Sequence, residues 1–183
     1  MEENSVIAIY DRNDQAEEAI KQLQKSGFDM KKLSIVSKGY ETENRVIGYY
    51  NAGDRMKHWG KFGAFWGGIW GLLLGAAFLI IPGIGPVLLA GPVVAAIIAA
   101  LEGAVVVGGL SVIGAGLYSM GIPKDSVIRY ESALKANKFL LVVHGGQGEV
   151  ARVRDTLKTT NASEVTMHTA AEARKAEEEP VGV

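Results

Sequence analysis

The sequence contains no cysteine, which excludes thiolate catalysis, disulfide cross-links and cysteine-ligated zinc and leaves the redox compartment open. It also lacks a surplus of either charge, since the net charge is -1, and this gives no electrostatic reason to expect binding to nucleic acid. The opening residues, MEENSVIAIYDRND, are acidic and lack the basic, apolar and small-residue order of a signal peptide. We therefore expect any membrane targeting to be internal.

Motifs of common active sites are missing as well. No GxGxxG follows a strand and opens a helix, no phosphate loop ends in GKS or GKT, and no GxSxG surrounds a serine. The turn HGGQGE, residues 144–149, is a candidate for phosphate contact, but the following helix start has no lysine or arginine partner. The sequence therefore predicts no enzyme, no cofactor and no small-molecule substrate.

The three histidines do not form a metal site in the predicted arrangement. His58 precedes the apolar region, whereas His144 and His168 lie on the last two predicted strands. Because those two strands are expected to flank the first strand rather than each other, we predict that His144 and His168 do not share a metal.

Two βαβ units lie at the two ends of the chain. In the first, SVIAIY and LSIVS read as strands around a helix with Ala16, Ala19, Ile20 and Leu23 on one face. In the second, KFLLVVHGG and EVTMHT flank a helix that carries Val150, Val153 and Leu157. Joined, the two units predict an α+β fold with a ferredoxin-like split βαβ domain. An amphipathic helix that starts near Pro123 is expected directly before the second unit.

Charge is absent from residues 62–101 and again from residues 103–123. Residues 62–81 are long enough to span about 30 Å of hydrocarbon as a helix, and IPGIGP at 81–86 reads as a turn. A second span is expected over residues 92–117. The predicted organisation is a first βαβ half at 1–48, an inserted apolar glycine-zipper transmembrane hairpin at 49–120, an amphipathic helix with the second half at 121–170, and a charged flexible tail at 171–183.

Flanking charge predicts the orientation of this hairpin. Lysine and arginine lie just before the first span and just after the second, whereas the tip carries no charge, so both termini are expected in the cytoplasm of a bacterial inner membrane. Aromatic residues near the ends of the spans, or on the stripe opposite the glycines, are expected to be interfacial anchors. These residues are Trp59, Trp66, Trp70 and Tyr118.

Small residues recur at four-residue spacing in both apolar arms. In lipid such rows allow close backbone contact between helices, so they predict helix packing within the hairpin and, through the remaining surfaces, a homo-oligomer. The rows are Gly63, Gly67, Gly71 and Gly75 in the first arm and Ala96, Ala100, Ala104 and Gly108 in the second.

Glu102 is the single charge between Lys61 and Lys124. In the predicted second span it is an intramembrane acid, which is either functional or structural, and a raised pKa is expected there because the membrane offers no basic partner. Two other interpretations of the apolar region stay open: a helical core wrapped by the rest of the chain, and a hairpin inserted in one leaflet.

Several segments resemble a known family. They are VIAIYD, KSGFDMKKLSIV, VIGYYNAGDRMKHWGKFGAFWGGIWGLL, IPGIGP, LEGAVVVGGLSVIGAGLYSMGIPKDSV and KFLLVVHG. They resemble bacterial proteins of the general stress protein 17M-like and DUF1269 type, and the resemblance extends over roughly residues 5–169. The resemblance implies a small bacterial membrane protein linked to stress or low temperature, and it carries over no catalytic residues.

The leading hypothesis is therefore a non-enzymatic, membrane-anchored and self-associating protein with a structural or stress-protective role, whose partners are membrane lipid and its own copies. One alternative is an oligomeric proton or ion channel that uses Glu102. Another is a membrane-tethered sensor that binds a small ligand in its ferredoxin-like half.

Overall fold

The structure, a computed structural model, describes residues 4–38, 76–81, 84–102, 111–169 and 171, and among them the side chains of 76–79, 101 and 102 are outside the description. The strands are β1 (Asn4–Tyr10), β2 (Leu33–Lys38), β3 (Ala76–Ile81), β4 (Gly85–Ala90), β5 (Phe139–Gly145) and β6 (Glu164–His168). The helices are α1 (Asn13–Lys25), α2 (Val93–Glu102), α3 (Val112–Ser119), α4 (Lys124–Lys135) and α5 (Gln147–Lys158).

The six strands form one antiparallel sheet in the order β3-β4-β2-β5-β1-β6. β5 lies between β1 and β2, and β1 lies between β5 and β6, so the strands of the two βαβ units alternate. The mixed α+β class and the sharing of one sheet by the two units are thereby confirmed. The prediction that the last two strands flank the first is confirmed as well.

A first hydrophobic core lies between the sheet and helices α1 and α5. Its side chains come from alternate strand positions such as Val6, Ala8 and Tyr10, and from the apolar faces of both helices. The helix residues predicted from their spacing are all buried there: Ala16, Ala19, Ile20, Leu23, Val150, Val153 and Leu157. Burial of each Ile or Leu contributes about 1.5–3 kcal/mol, which is why the helical spacing is a strong signal.

A second core lies on the opposite face of the sheet, under α2, α3 and α4. Strand residues of the other parity, such as Ile7 and Ile9, meet Ile97, Ile113 and Leu134 from the helices. Because both faces of β1 and β5 are covered, every residue of these two strands is buried. The predicted amphipathic helix is α4, and Pro123 is its N-cap residue.

The inserted region differs from the predicted transmembrane hairpin in its first arm. Residues 76–81 belong to strand β3, not to a helix over 62–81, and they pair with β4 from Ala76↔Ala90 to Ile81↔Gly85. The turn at IPGIGP is correct, but it joins two strands. An uninterrupted apolar run does not distinguish a buried strand from a helix, and here β2 offers β4 a row of backbone partners.

The predicted second span, residues 92–117, is not one helix. The chain begins a new helix after Ser111, whose hydroxyl accepts a hydrogen bond from the Gly114 amide, and α3 packs against α2. A Cβ on Gly116 would lie 2.6 Å from Cγ1 of Ile97, whereas a continuous helix would separate these residues by about 28 Å. Within the described ranges no helix is both long and apolar enough to cross a membrane.

Candidate functional site

Helix α2 is fixed to the sheet at its beginning. Gly91 connects β4 to α2 with a φ of +86°, and a Cβ at this position would collide with the carbonyl oxygen of Leu33. Glycine is therefore required both for the left-handed conformation and for the close approach to β2. The hydroxyl of Ser34 on β2 accepts a hydrogen bond of 3.1 Å from the Val93 amide, which satisfies one of the unpaired N–H groups of the first helical turn.

The inner side of α2 packs into the second core. Val93 and Ile97, one turn apart, are fully buried, and Ile97 lies directly against Gly116 of α3. This contact joins two helices within the predicted second arm, so it is not the predicted contact between the two arms. It uses a glycine that was not among the predicted packing residues.

The outer side of α2 is apolar as well. Ala95, Ile98 and Ala99 are exposed, Ile98 to 38 %. We call these three residues the α2 face. A helix that is apolar on every side is normally buried on every side, so the α2 face is the candidate contact surface of this helix.

The other long helices have the opposite character. The exposed positions of α1 include Asp14, Glu18 and Lys25, and those of α5 include Arg152 and Asp155. On α4 the exposed Ile128 has charged or polar exposed neighbours: Asp125, Arg129 and Ser132. The α2 face is thus the uncharged exception among the outer helix surfaces that the structure describes.

The predicted helix-packing residues are only partly within the described chain. Ala96 and Ala100 lie on α2 and are half-buried. The remaining members of the two rows lie outside the described residues: Gly63, Gly67, Gly71, Gly75, Ala104 and Gly108. The predicted zipper between the two arms is therefore still a prediction.

The other predicted residues of the apolar region have different outcomes. Tyr118 is half-buried and packs against the second core, and its role as an interfacial anchor stays a prediction. Trp59, Trp66 and Trp70 lie outside the described residues. Glu102 is the last residue of α2 and not the middle of a helix over 92–117, and its side chain is not described. Its role as an intramembrane acid stays a prediction.

Polar side chains are buried in the second core near the beginning of strand β1. Ser5 is directly opposite His144 on β5 and His168 on β6, and all three residues are buried. The hydroxyl of Tyr130 on α4 forms a hydrogen bond of 2.6 Å with Nε2 of His168. Burial raises the pKa of Tyr130 to about 12, so this hydroxyl keeps its proton at neutral pH.

Sequence reasoning missed this tyrosine–histidine pair. The helical spacing of Val127, Tyr130 and Leu134 indicates that Tyr130 points toward the core. Its partner, His168, is 38 residues away in sequence, on strand β6. His144 and His168 are separated by β1, which places them about two strand spacings, or roughly 10 Å, apart. Among the described residues, no group of three His, Asp or Glu side chains is arranged to hold a metal ion.

The buried carboxylate of Glu131 has a structural role. Its Oε1 accepts hydrogen bonds from the Ser111 amide, at 3.0 Å, and from the Ser111 hydroxyl, at 2.7 Å. The same hydroxyl caps α3, so Glu131 on α4 fixes the point at which α3 begins. The donors and acceptors of these contacts, Glu131, Ser111 and Gly114, all belong to the fold itself.

The turn HGGQGE does not present an empty anion site. A Cβ on Gly145 would lie 2.6 Å from Oε2 of Glu149, so this carboxylate lies over the turn and beside the start of α5. The same oxygen accepts a hydrogen bond of 2.7 Å from Nζ of Lys32. A lysine does come near the helix start, contrary to the sequence analysis, but it is paired with the chain's own acid.

The comparison with known families bears on the first part of the chain. Residues 5–79 match the family model of the heat induced stress protein YflT domain. This match, which covers β1, α1, β2 and the start of β3, supports a relationship to a general stress protein family. No curated protein and no solved structure matches the chain.

Proposed function

We propose that the protein is a non-enzymatic stress-protective protein that self-associates through the α2 face. The relationship to stress proteins rests on the match over residues 5–79. Self-association rests on one structural observation, the exposed and uncharged outer side of α2. The buried polar groups of the second core serve packing and helix capping, which agrees with a protein that acts by binding.

Physical chemistry favours a second copy as the occupant of this surface. Ala95 and Ala99 are small and allow the backbone of a partner helix to approach closely, while Ile98 supplies apolar area between them. In a two-fold dimer each α2 face lies against the other, so one uncharged surface is buried twice. No opposite charge is needed for such a contact.

Membrane anchoring is the second candidate, and the same observation favours it. An apolar helix face also fits the acyl region of a bilayer, where α2 would lie along the surface. In that case the α2 face contacts lipid, and charge on it weakens binding to vesicles rather than the association between copies.

The test compares two exposed helix isoleucines whose surroundings differ. Ile98→Glu places a carboxylate on the α2 face, whereas Ile128→Glu places one on the charged outer surface of α4, where Ile128 is 50 % exposed. Multi-angle light scattering should give the unmodified chain a mass that is a multiple of 19.5 kDa. Ile98→Glu should shift this mass toward the monomer, and Ile128→Glu should not.

Flotation with vesicles of neutral and anionic lipid separates the two candidates. A monomeric chain that floats with vesicles and loses flotation only in Ile98→Glu would support the membrane candidate. Equal masses and equal flotation for the unmodified chain and both variants would contradict the proposed role of the α2 face.

A further inference from the structure

The outer edge of strand β3 has the chemistry of a strand-pairing site. β3 ends the sheet, and in the part of the chain that the structure describes no strand pairs with its outer side. Its sequence, AAFLII, contains neither charge nor proline. Natural edge strands usually carry lysine, proline or a bulge that prevents pairing with another chain, and β3 has neither of the first two.

The backbone direction of β3 follows from its pairing with β4. Ile80 is opposite Pro86, which has no N–H group to donate. The pair must therefore be of the non-hydrogen-bonded type, in which the N–H and C=O groups point away from the partner strand. Since these directions alternate along a strand, the backbone groups of residues 76, 78 and 80 point toward the outer edge.

The edge strand also carries an exposed apolar side chain. Ile80 is 78 % exposed, the highest value among the large hydrophobic side chains that are described. The opposite edge of the sheet is different, because β6 begins with Glu164, which forms an ion pair of 3.1 Å with Arg129. The two edge strands of the sheet thus differ in charge: β6 contains a charged residue, whereas β3 contains none.

We propose that a second copy of this chain adds its own β3 to this edge in antiparallel orientation. In a two-fold arrangement centred on Phe78, residue 78 is opposite itself and residue 76 is opposite residue 80 of the other copy. Every outward N–H and C=O of residues 76, 78 and 80 then finds a partner. The edge is self-complementary in this register, which is the reason to assign a second copy rather than an unrelated peptide.

The assembly has a definite form. The axis is perpendicular to the sheet, so each face continues across the contact, and the six strands of one copy join the six of the other. Ile80 lies directly opposite residue 76 of the second β3, so part of its apolar surface is removed from water. This inference rests on the proposed self-association through the α2 face and adds a second contact between copies, through strand β3.

The experiment uses two substitutions at one position. Ile80→Pro removes the outward N–H and the side chain, whereas Ile80→Ser removes the same apolar side chain and keeps the N–H. Both are tolerated at an edge strand in which this N–H is not bonded to β4, and circular dichroism confirms that each variant is folded. Sedimentation equilibrium of the full chain then gives the dissociation constant of the dimer.

We expect Ile80→Pro to raise this dissociation constant at least tenfold above that of Ile80→Ser. Equal constants for the two variants, with the unmodified chain still dimeric, overturn edge pairing but leave the proposed self-association intact. A monomeric unmodified chain contradicts both proposals.

A second measurement does not depend on these variants. Because the chain has no cysteine, Ile80→Cys gives a single site for a nitroxide label. The proposed register places the two Cα atoms of residue 80 about 15 Å apart, from four residues along the strand and one strand spacing across. Electron spin dipolar spectroscopy should detect this short distance in the dimer. A dimer in which it is missing, or in which residues 39–75 of the same chain protect the β3 amides from exchange, refutes the inference.

Discussion

Gly116 is a residue at which helices α2 and α3 are in close contact. A Cβ at this position would lie 2.6 Å from Cγ1 of Ile97 and close to its backbone. Gly148, in contrast, is also in a helix but has no atom within 4 Å of the corresponding position. The two glycines therefore form a matched pair for measuring what the close contact contributes.

We expect Gly116→Ala to lower the free energy of unfolding by about 1–3 kcal/mol, because the methyl group forces α2 and α3 apart. Gly148→Ala should raise it by about 0.4–1 kcal/mol, because alanine restricts the unfolded chain and favours the helix. Urea denaturation of both variants measures these changes. A decrease of equal size in both would show that the contact with Ile97 has no special role.

The pKa of Tyr130 links stability to alkaline pH. It is about 12 in the folded chain against 10.0 for an ordinary tyrosine, because burial opposes ionisation. Below pH 10 the side chain is protonated in both states and the stability is unaffected. Between about pH 10 and 12 the unfolded chain has lost the proton that the folded chain keeps, so stability falls as pH rises, by up to about 2–3 kcal/mol.

Tyr130→Phe should change both the stability at neutral pH and the loss of stability at alkaline pH. At pH 7 it should cost about 1–2 kcal/mol, because the hydroxyl that bonds His168 is lost. Above pH 10 the variant should lose stability less steeply than the unmodified chain, and Tyr10, whose pKa is also raised by burial, accounts for part of the remaining slope. Parallel curves of unfolding free energy between pH 9 and 11 would contradict the assignment.

At the level of whole elements, the helix and strand signals of the two βαβ units were sufficient to predict their packing. Ala16, Ala19, Ile20 and Leu23 repeat at helical spacing, and Lys25 in the last turn precedes a glycine at the end of α1. The spacing indicates which side is buried, and the alternation of the repeats indicates which strands are neighbours. These local patterns agree with the global fold, which is why they are informative.

The apolar insert lacked such information. In AAFLII and in VLLA, residues 87–90, every side chain is compatible with a strand, a core helix or a membrane span, so the sequence contains no period that decides between them. The choice of strand depends on β2, which is remote in sequence and offers its free edge to β4. The α2 face was missed for the same reason, since a uniformly apolar helix does not reveal which side meets the core.

The beginning of α2 depends on a residue of another element. Ser34→Ala removes the hydroxyl that accepts the hydrogen bond from the Val93 amide, which is buried, and should lower the free energy of unfolding by about 1–2 kcal/mol. Hydrogen exchange should accelerate mainly in α2, because its first turn loses the connection to β2. Ser132→Ala on the exposed side of α4 is the control, and an equal effect there would contradict the proposed anchoring.

At the scale of the whole molecule, the central claim is that this chain works as an assembly. Its two core layers are complete enough to bury both faces of β1 and β5, yet the α2 face and the β3 edge remain exposed in the described chain. Both surfaces are uncharged, and a second copy is the partner that we propose for each. Neither could be predicted from the sequence as a surface, because exposure depends on the packing of remote elements.

Sedimentation velocity of the unmodified full chain over a hundredfold range of concentration tests this claim most directly. The account predicts a species whose mass is a multiple of 19.5 kDa and whose fraction increases with concentration. A single species at 19.5 kDa over the whole range would contradict it.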